Sequence, residues 1–415
     1  MDGDPDTQGV LLRVLRRLTE PPLLTLVAGV QALGFVIVVV AYLASRVDPS
    51  TGIDPNTGDF LAFWTGGVMV HAGRGLELYD FHAQQVLQEQ ILVVGHGYFQ
   101  PYLNPPGLAI AVAPAVPLGY VPTFVLFCLG MTAAFMAGAL AVRRHLPHLI
   151  PDRRAGMTAL CVVVAYSPVI RTMWGGQNTP LTLGLLALAF GALRADRAVL
   201  AGVAVGMLSF KPQYGVLAGV ALLLWRRWTA AGVAMAIGLA HYAVGAVVIG
   251  ADWPLRMVDA LRAHQPRELA ATGPYQFSIP RVAHHVLPES LAGPVGWLGV
   301  AAVAVTLVAL LRRSGPDRPG FVAAWGLLVA GTMLVSPHLV YYDAGLLVLP
   351  VLLGLDEVLR RRGDVPWPTR LAVVAAFFLF PAYKAVDVIG IQPLFFVLVV
   401  VFLWLARLVA TDERR

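Results

Sequence analysis

Apolar runs that each close on a short cluster of arginines are the strongest constraint on this chain. A run over about residues 22–44 ends at Ala44-Ser45-Arg46. Later runs end at Arg143-Arg144, Arg226-Arg227, Arg312-Arg313 and Arg360-Arg361-Arg362. A bilayer core about 30 Å thick needs some 20 apolar residues per helix, and in lipid a helix is one of the few forms that satisfies its own backbone. Only 13% of the 415 residues are charged, and mean hydropathy is +0.71. A soluble domain carries about a quarter charged residues. The expected fold is an all-α polytopic membrane protein, a single membrane domain over 1–415.

Threading the runs through a bilayer predicts about twelve spans with both termini on the arginine-rich side. The first run is too long for a signal peptide and lacks a small-residue cleavage site. The Pro-rich stretch 105–117 is too short to span and reads as a re-entrant or interfacial segment. Of the 30 basic residues, 21 fall on the side of Arg13, Arg16 and Arg17 by this threading and nine on the other, as expected if the first side is cytoplasmic. Two long loops then face outward: 45–104, with interfacial helices, and 250–291. Residues 155–172 read as one span. The expected location is a bacterial plasma membrane. Cys128 and Cys161 fall inside spans and read as packing residues. The +6 charge sits in short loops and does not point to nucleic acid.

Polar groups with chemical potential collect on the predicted outer face. Asp59, in Gly58-Asp59-Phe60-Leu61-Ala62-Phe63-Trp64, places a carboxylate at the membrane surface before an aromatic helix. It can act as a general base, or merely cap the helix that follows. Only two lysines occur, Lys211 and Lys384, both at outer helix ends. Lys384 reads as snorkelling to the interface. Lys211, in Phe210-Lys211-Pro212-Gln213-Tyr214 between two short apolar segments, reads as a charge facing a cavity. Gly175-Gly176-Gln177-Asn178 offers a tight turn and two amides. Tyr102 and Asn104, in the aromatic run before Pro105-Pro106, are candidates for lining an access groove. His338, in Ser336-Pro337-His338, precedes Tyr341-Tyr342-Asp343 and can bind phosphate when protonated. His264, His284 and His285 read as solvated loop residues without metal-ligand spacing. No nucleotide-binding, zinc or Ser-His-Asp motif is present, and no metal or cofactor is expected.

Taken together, these pieces resemble glycosyltransferase family 87 of the polytopic GT-C glycosyltransferases. The resemblance rests on Gly58-Asp59-Phe60 with Phe63-Trp64, the Asn-Pro-Pro at 104–106, Gly175-Gly176-Gln177-Asn178, Lys211-Pro212-Gln213 and Ser336-Pro337-His338. It implies a GT-C-type fold and an inverting transfer of a hexose, most simply mannose, from a polyprenyl-phosphate donor to a glycolipid or glycan acceptor at the extracytoplasmic face. It implies Asp59 as catalytic base and Lys211, His338 and Arg171 as donor-phosphate ligands. Gln177, Asn178, Gln213, Asn104, Tyr102 and Tyr342 would touch sugar or acceptor. The rival reading is a transporter or flippase of a lipid-linked or small polar substrate. Such a protein should place its polar groups near the midplane between related halves, whereas these gather at one face.

Overall fold

The computed structural model describes residues 58–91, 99–378 and 385–412, with scattered helical positions between 25 and 37. Lys384 and parts of the first predicted outer loop lie outside the described residues. Everything described is helical or loop apart from one isolated antiparallel bridge, Gln276 to Val340, so the all-α expectation holds.

The helices are, in order, α1 (Phe60–His71), α2 (Phe81–Ile91), α3 (Gly107–Val112, continued by a 3-10 turn Ala113–Leu118), α4 (Tyr120–Arg143), α5 (Arg153–Ala165), α6 (Ser167–Trp174), α7 (Thr179–Arg194), α8 (Ala198–Met207), α9 (Pro212–Leu224), α10 (Trp228–Ile249), α11 (Trp253–Thr272), α12 (Ile279–Val286), α13 (Glu289–Leu311), α14 (Phe321–Val335), α15 (Val348–Arg362), α16 (Trp367–Phe378), α17 (Val386–Ile389) and α18 (Pro393–Asp412). Among them, four are long and apolar enough to cross a bilayer: α4, α10, α13 and α18. Helices of this length and composition mark an α-helical membrane protein.

Several apolar helices are shorter than the threading assumes. α7, α8, α9 and α14 have 16, 10, 13 and 15 residues. At 1.5 Å per residue the longest of these reaches about 24 Å, short of a hydrocarbon core. Such pieces are stable at membrane depth only when protein surrounds them. α14 shows this best: every residue from Phe321 to Leu334 is buried, between α9, α13, α15 and α18. The predicted single span 155–172 is two helices, α5 and α6, broken at Tyr166, whose backbone is extended (ψ 110°). Pro168 follows; it lacks an N–H to continue the helix and crowds the turn before it. The stretch 105–117 does form a short helix and a 3-10 turn, packed on α1. The second long loop is mostly the helices α11 and α12.

Close helix packing uses small residues. α4 lies along α7, and a Cβ at Gly184 would meet the Ala134 carbonyl oxygen at 2.3 Å. In lipid there is little hydrophobic force between helices, so such backbone approach supplies the van der Waals contact. Gly184→Val should therefore push the two helices apart at a cost of about 1–3 kcal/mol. The check is a lowered melting temperature in detergent micelles; an unchanged one would mean that α4 and α7 do not pack this way.

Candidate active site

Asp59 sits where three distant segments meet. Gly58 has φ +67°, a left-handed conformation, and a Cβ there would come within 2.6 Å of the Gly175 carbonyl oxygen. Gly176, at φ +58°, would place a Cβ 2.4 Å from the Phe60 Cβ. Both positions thus need glycine twice over, for backbone conformation and for contact. The turn at 175–178 is pressed directly against the turn at 58–60. Phe60 then anchors α1 among Tyr120, Phe124 and Phe127, with ring centroids 5.1–5.2 Å apart.

Asp59 does not cap α1. Its backbone is helical and its side chain makes no cap bond, because the carboxylate is used elsewhere. Gln100 donates to Oδ1 at 2.7 Å and the Tyr342 hydroxyl to Oδ2 at 3.1 Å, and the Gln177 side chain favours the charged carboxylate. Burial raises the Asp59 carboxyl above its ordinary range, against these hydrogen bonds and the nearby His338 charge. A carboxylate made more basic in this way is better matched to take a proton near neutral pH.

Gln100 is placed by two fully buried glutamines on α2. Gln84 accepts from the Tyr102 N–H at 2.7 Å and donates to the Leu78 carbonyl at 2.7 Å. Gln88 donates to the Gln100 carbonyl at 2.8 Å and accepts from its N–H at 3.0 Å. One turn apart on α2, they hold the extended chain at 100–102 as a neighbouring strand would. Sequence reading missed Gln100 and these supports. Nothing local in the sequence pairs residue 88 with residue 100.

Tyr102 does not line a groove. It is fully buried, its hydroxyl donates to the Pro105 carbonyl at 2.6 Å and accepts from the Ala109 N–H, and its ring lies among Phe63 and Tyr79. Asn104 is half-buried, and its carbonyl accepts from Tyr79. Asn178 is 2% exposed with its Oδ1 unpaired and makes no side-chain cap to α7. Gln213 is half-buried on the first turn of α9 and bonds to no other site side chain.

Lys211 is committed to an ion pair. Its Nζ lies 3.1 Å from Asp343 Oδ1, with side-chain exposures of 14% and 4%. Thr179 donates to the same oxygen at 2.7 Å. A carboxylate buried to this degree needs such partners. Asp343 opens the 3-10 turn Tyr341–Leu347, so this pair fixes the turn that carries Tyr342. Arg171, on α6, donates to the Tyr341 hydroxyl at 2.9 Å and lies 5.4 Å from its ring centre.

His338 carries the other charge at the site. Its side chain is 45% accessible. Nδ1 pairs with Glu268 of α11, a residue the sequence did not single out. Arg281 of α12 is buried beside Glu268 and donates to the Pro337 carbonyl. Gln276 donates to Glu268 at 3.0 Å. His264 is no solvated loop residue either: it lies on α11, its ring packed edge-on against Phe81. His284 and His285 are exposed. Burial alone would raise the Glu268 carboxyl, but the His338 and Arg281 charges bring it down to about 2. Burial likewise works against the His338 cation, and Glu268, Asp343 and Asp59 outweigh it, leaving the imidazole above its ordinary 6.5.

The described residues include no cluster of metal-ligating side chains. The model of glycosyltransferase family 87 matches residues 102–337. That stretch contains Gln177, Lys211 and Glu268, starts after Asp59 and ends one residue before His338. A polyprenol-phosphate-mannose-dependent alpha-(1-2)-phosphatidylinositol pentamannoside mannosyltransferase of Mycolicibacterium smegmatis is 26% identical over 324 residues, 75% of this chain and 74% of that protein. No solved structure matches the chain.

Two expectations follow from the site. Gln88→Leu leaves the Gln100 backbone groups unpaired and should cost about 1–3 kcal/mol of stability, read as a lower melting temperature; no change would show that Gln88 does not hold the 100–102 segment. The Glu268–His338 pair gives a pH window. Glu268, held below 4.5, contributes stability above 4.5 that is lost as pH falls toward about 2. His338, raised above 6.5, contributes below 6.5 and loses it as pH rises through its folded value. The stability gap between wild type and Glu268→Gln should be widest between about pH 4.5 and 6.5 and shrink on both sides. A pH-independent gap would show that the pair is not ionic.

Proposed function

The chain belongs to glycosyltransferase family 87, and from that premise we propose that it moves a hexose, most simply mannose, from a polyprenyl-phosphate donor to a glycolipid or glycan acceptor. Family membership makes it an enzyme and sets aside the transporter reading. The donor class rests on the mannosyltransferase relative, and the bulk of the arginines at the far helix ends supports an active site facing the extracytoplasmic side.

The observation that carries the mechanism is the contrast among three carboxylates. Asp343 is paired with Lys211 and Glu268 with His338. Asp59 accepts its hydrogen bonds from the neutral donors Gln100 and Tyr342. Asp59 is therefore the carboxylate free to accept a proton. In the proposed step the acceptor hydroxyl attacks the anomeric carbon and gives its proton to Asp59. The bond from that carbon to the phosphate oxygen breaks, and its electron pair leaves with the lipid phosphate. Attack opposite the leaving group inverts the anomeric centre. A phosphate departs without a second carboxylic acid, unlike the leaving group of a glycosidase.

The accessible His338 cation and Arg171 hold the donor phosphate in this reading. Lys211 acts one step back, fixing Asp343 and the Tyr342 turn, because reaching a phosphate would mean abandoning a buried carboxylate. Gln100, Gln177 and Tyr342 orient Asp59, and Gln213 and Asn104 stand nearest to a role with sugar or acceptor.

Purified protein in lipid, given polyprenyl-phosphate-mannose and candidate glycolipid acceptors, should release polyprenyl phosphate. Asp59→Asn, still folded by its melting curve, should lower kcat by about 10²–10⁴. Equal rates for the two proteins would remove Asp59 as the base, and no release by wild type would reject the donor.

A further inference from the structure

We propose that the groove between α4, α5, α7 and α15 holds an acyl chain of an anionic glycerophospholipid of the bilayer, with the lipid phosphate on Arg143 and Arg153. The groove has a volume of about 460 Å³ and shares no residue with the Asp59 site, so this inference stands apart from the reading of the reaction.

Its walls set the chemistry of the occupant. Leu140, Met157, Leu160 and Leu349 are typical of the lining, and its only polar side chains are Arg143 and Arg153. Both arginines are exposed, and neither forms an ion pair with an acidic side chain among the described residues. They lie together at one end: Arg143 closes α4, and Arg153 opens α5 across a short turn. From there the groove follows α4 back to Phe135, eight residues or about 12 Å along the helix, and reaches α7 and α15 on the inner side.

The opening faces outward from the helix bundle. Leu140 and Met157, on its rim, are 58% and 57% exposed, and α4 is one of the helices fit to cross a bilayer. The solvent at that opening is therefore hydrocarbon, which brings an acyl chain to it at high concentration. A tail lying along α4 would leave its head group level with the two guanidiniums. Guanidinium suits phosphate in geometry and charge, and basic pockets between spanning helices favour anionic head groups. A zwitterionic lipid fits the walls equally well but gains less from the arginines, so head-group preference separates this site from a merely greasy surface.

The test titrates the detergent-purified full chain with phosphatidylglycerol or phosphatidylcholine and counts bound lipid by native mass spectrometry. At about fivefold in affinity for each arginine beside a net anionic head group, wild type should prefer phosphatidylglycerol by roughly twentyfold. The R143Q/R153Q double variant should lose that preference, and R144Q/R154Q, whose arginines lie outside the groove, should keep it. Ala159→Trp, which fills the groove, should lower retention of both lipids. Equal binding of the two lipids by wild type would overturn the proposal. So would an equal loss in both arginine pairs, which would mean a general basic surface, or displacement of phosphatidylglycerol by polyprenyl phosphate at equal concentration, which would name a different occupant.

Discussion

The site depends on one backbone contact, the packing of Gly58 against Gly175 with Gly176 against Phe60. It joins segments more than a hundred residues apart at a separation that no side chain permits. Once these turns touch, Gln177 reaches Asp59, and the chain leaving Asn178 enters α7 beside Asp343. The contact also explains why Asp59 does not cap the helix it precedes. The turn aims its carboxylate away from the first N–H groups of α1 and toward Gln100 and Tyr342. Positive φ at both glycines means that a side chain at either position would strain the backbone as well as clash.

Around that contact the charges are sorted. Three acidic residues meet within the same region, and like charges this close would raise one another's pKa values unless separated by partners. Lys211 and Thr179 take Asp343, His338 and Arg281 take Glu268, and neutral donors take Asp59. The His338 cation does not pair with Asp59, yet its charge lowers the cost of an ionised Asp59. Burial acts on Asp59 in the opposite sense and keeps it basic. The charge comes from a residue far along the chain, which is why the acidic residue alone says little about reactivity.

Much of this was legible in the sequence, for definite reasons. Hydropathy and arginine clusters fix the class, because the bilayer permits few alternatives. Asp59, Gln177, His338 and Tyr342 stand beside glycines, prolines and aromatics that mark turns at helix ends, and the structure brings these four together. Glu268 was not visible, because its partner is 70 residues away and its own surroundings read only as part of the second long outer loop. Gln84, Gln88 and Gln100 were missed for the same reason: a clamp between a helix and an extended segment leaves no periodic trace. Tyr102 was misjudged because an interfacial aromatic and a buried one look alike in sequence, and only the inward bonds of its hydroxyl distinguish them. Helix lengths were overestimated where an apolar run contains an internal break, as at Tyr166.

The short helices are part of how the site works. α7 begins at Thr179 and α9 at Pro212, right after Lys211, so two helix N-termini open beside Asp343 rather than at the far surface. Each N-terminus carries unsatisfied N–H groups and a partial positive charge, which favours a carboxylate there and shares with Lys211 the cost of burying it. A pair of full-length spanning helices would carry those ends to the interface, and Asp343 would then have to be neutral or exposed. Truncation therefore permits an ionised anchor below the surface. That anchor holds the Tyr341–Leu347 turn rigid, and through Tyr342 it fixes the orientation of Asp59. Proton transfer demands a donor and acceptor within hydrogen-bond reach, so the shortness of α7 and α9, read at first only as a departure from the span count, is a condition for placing the base.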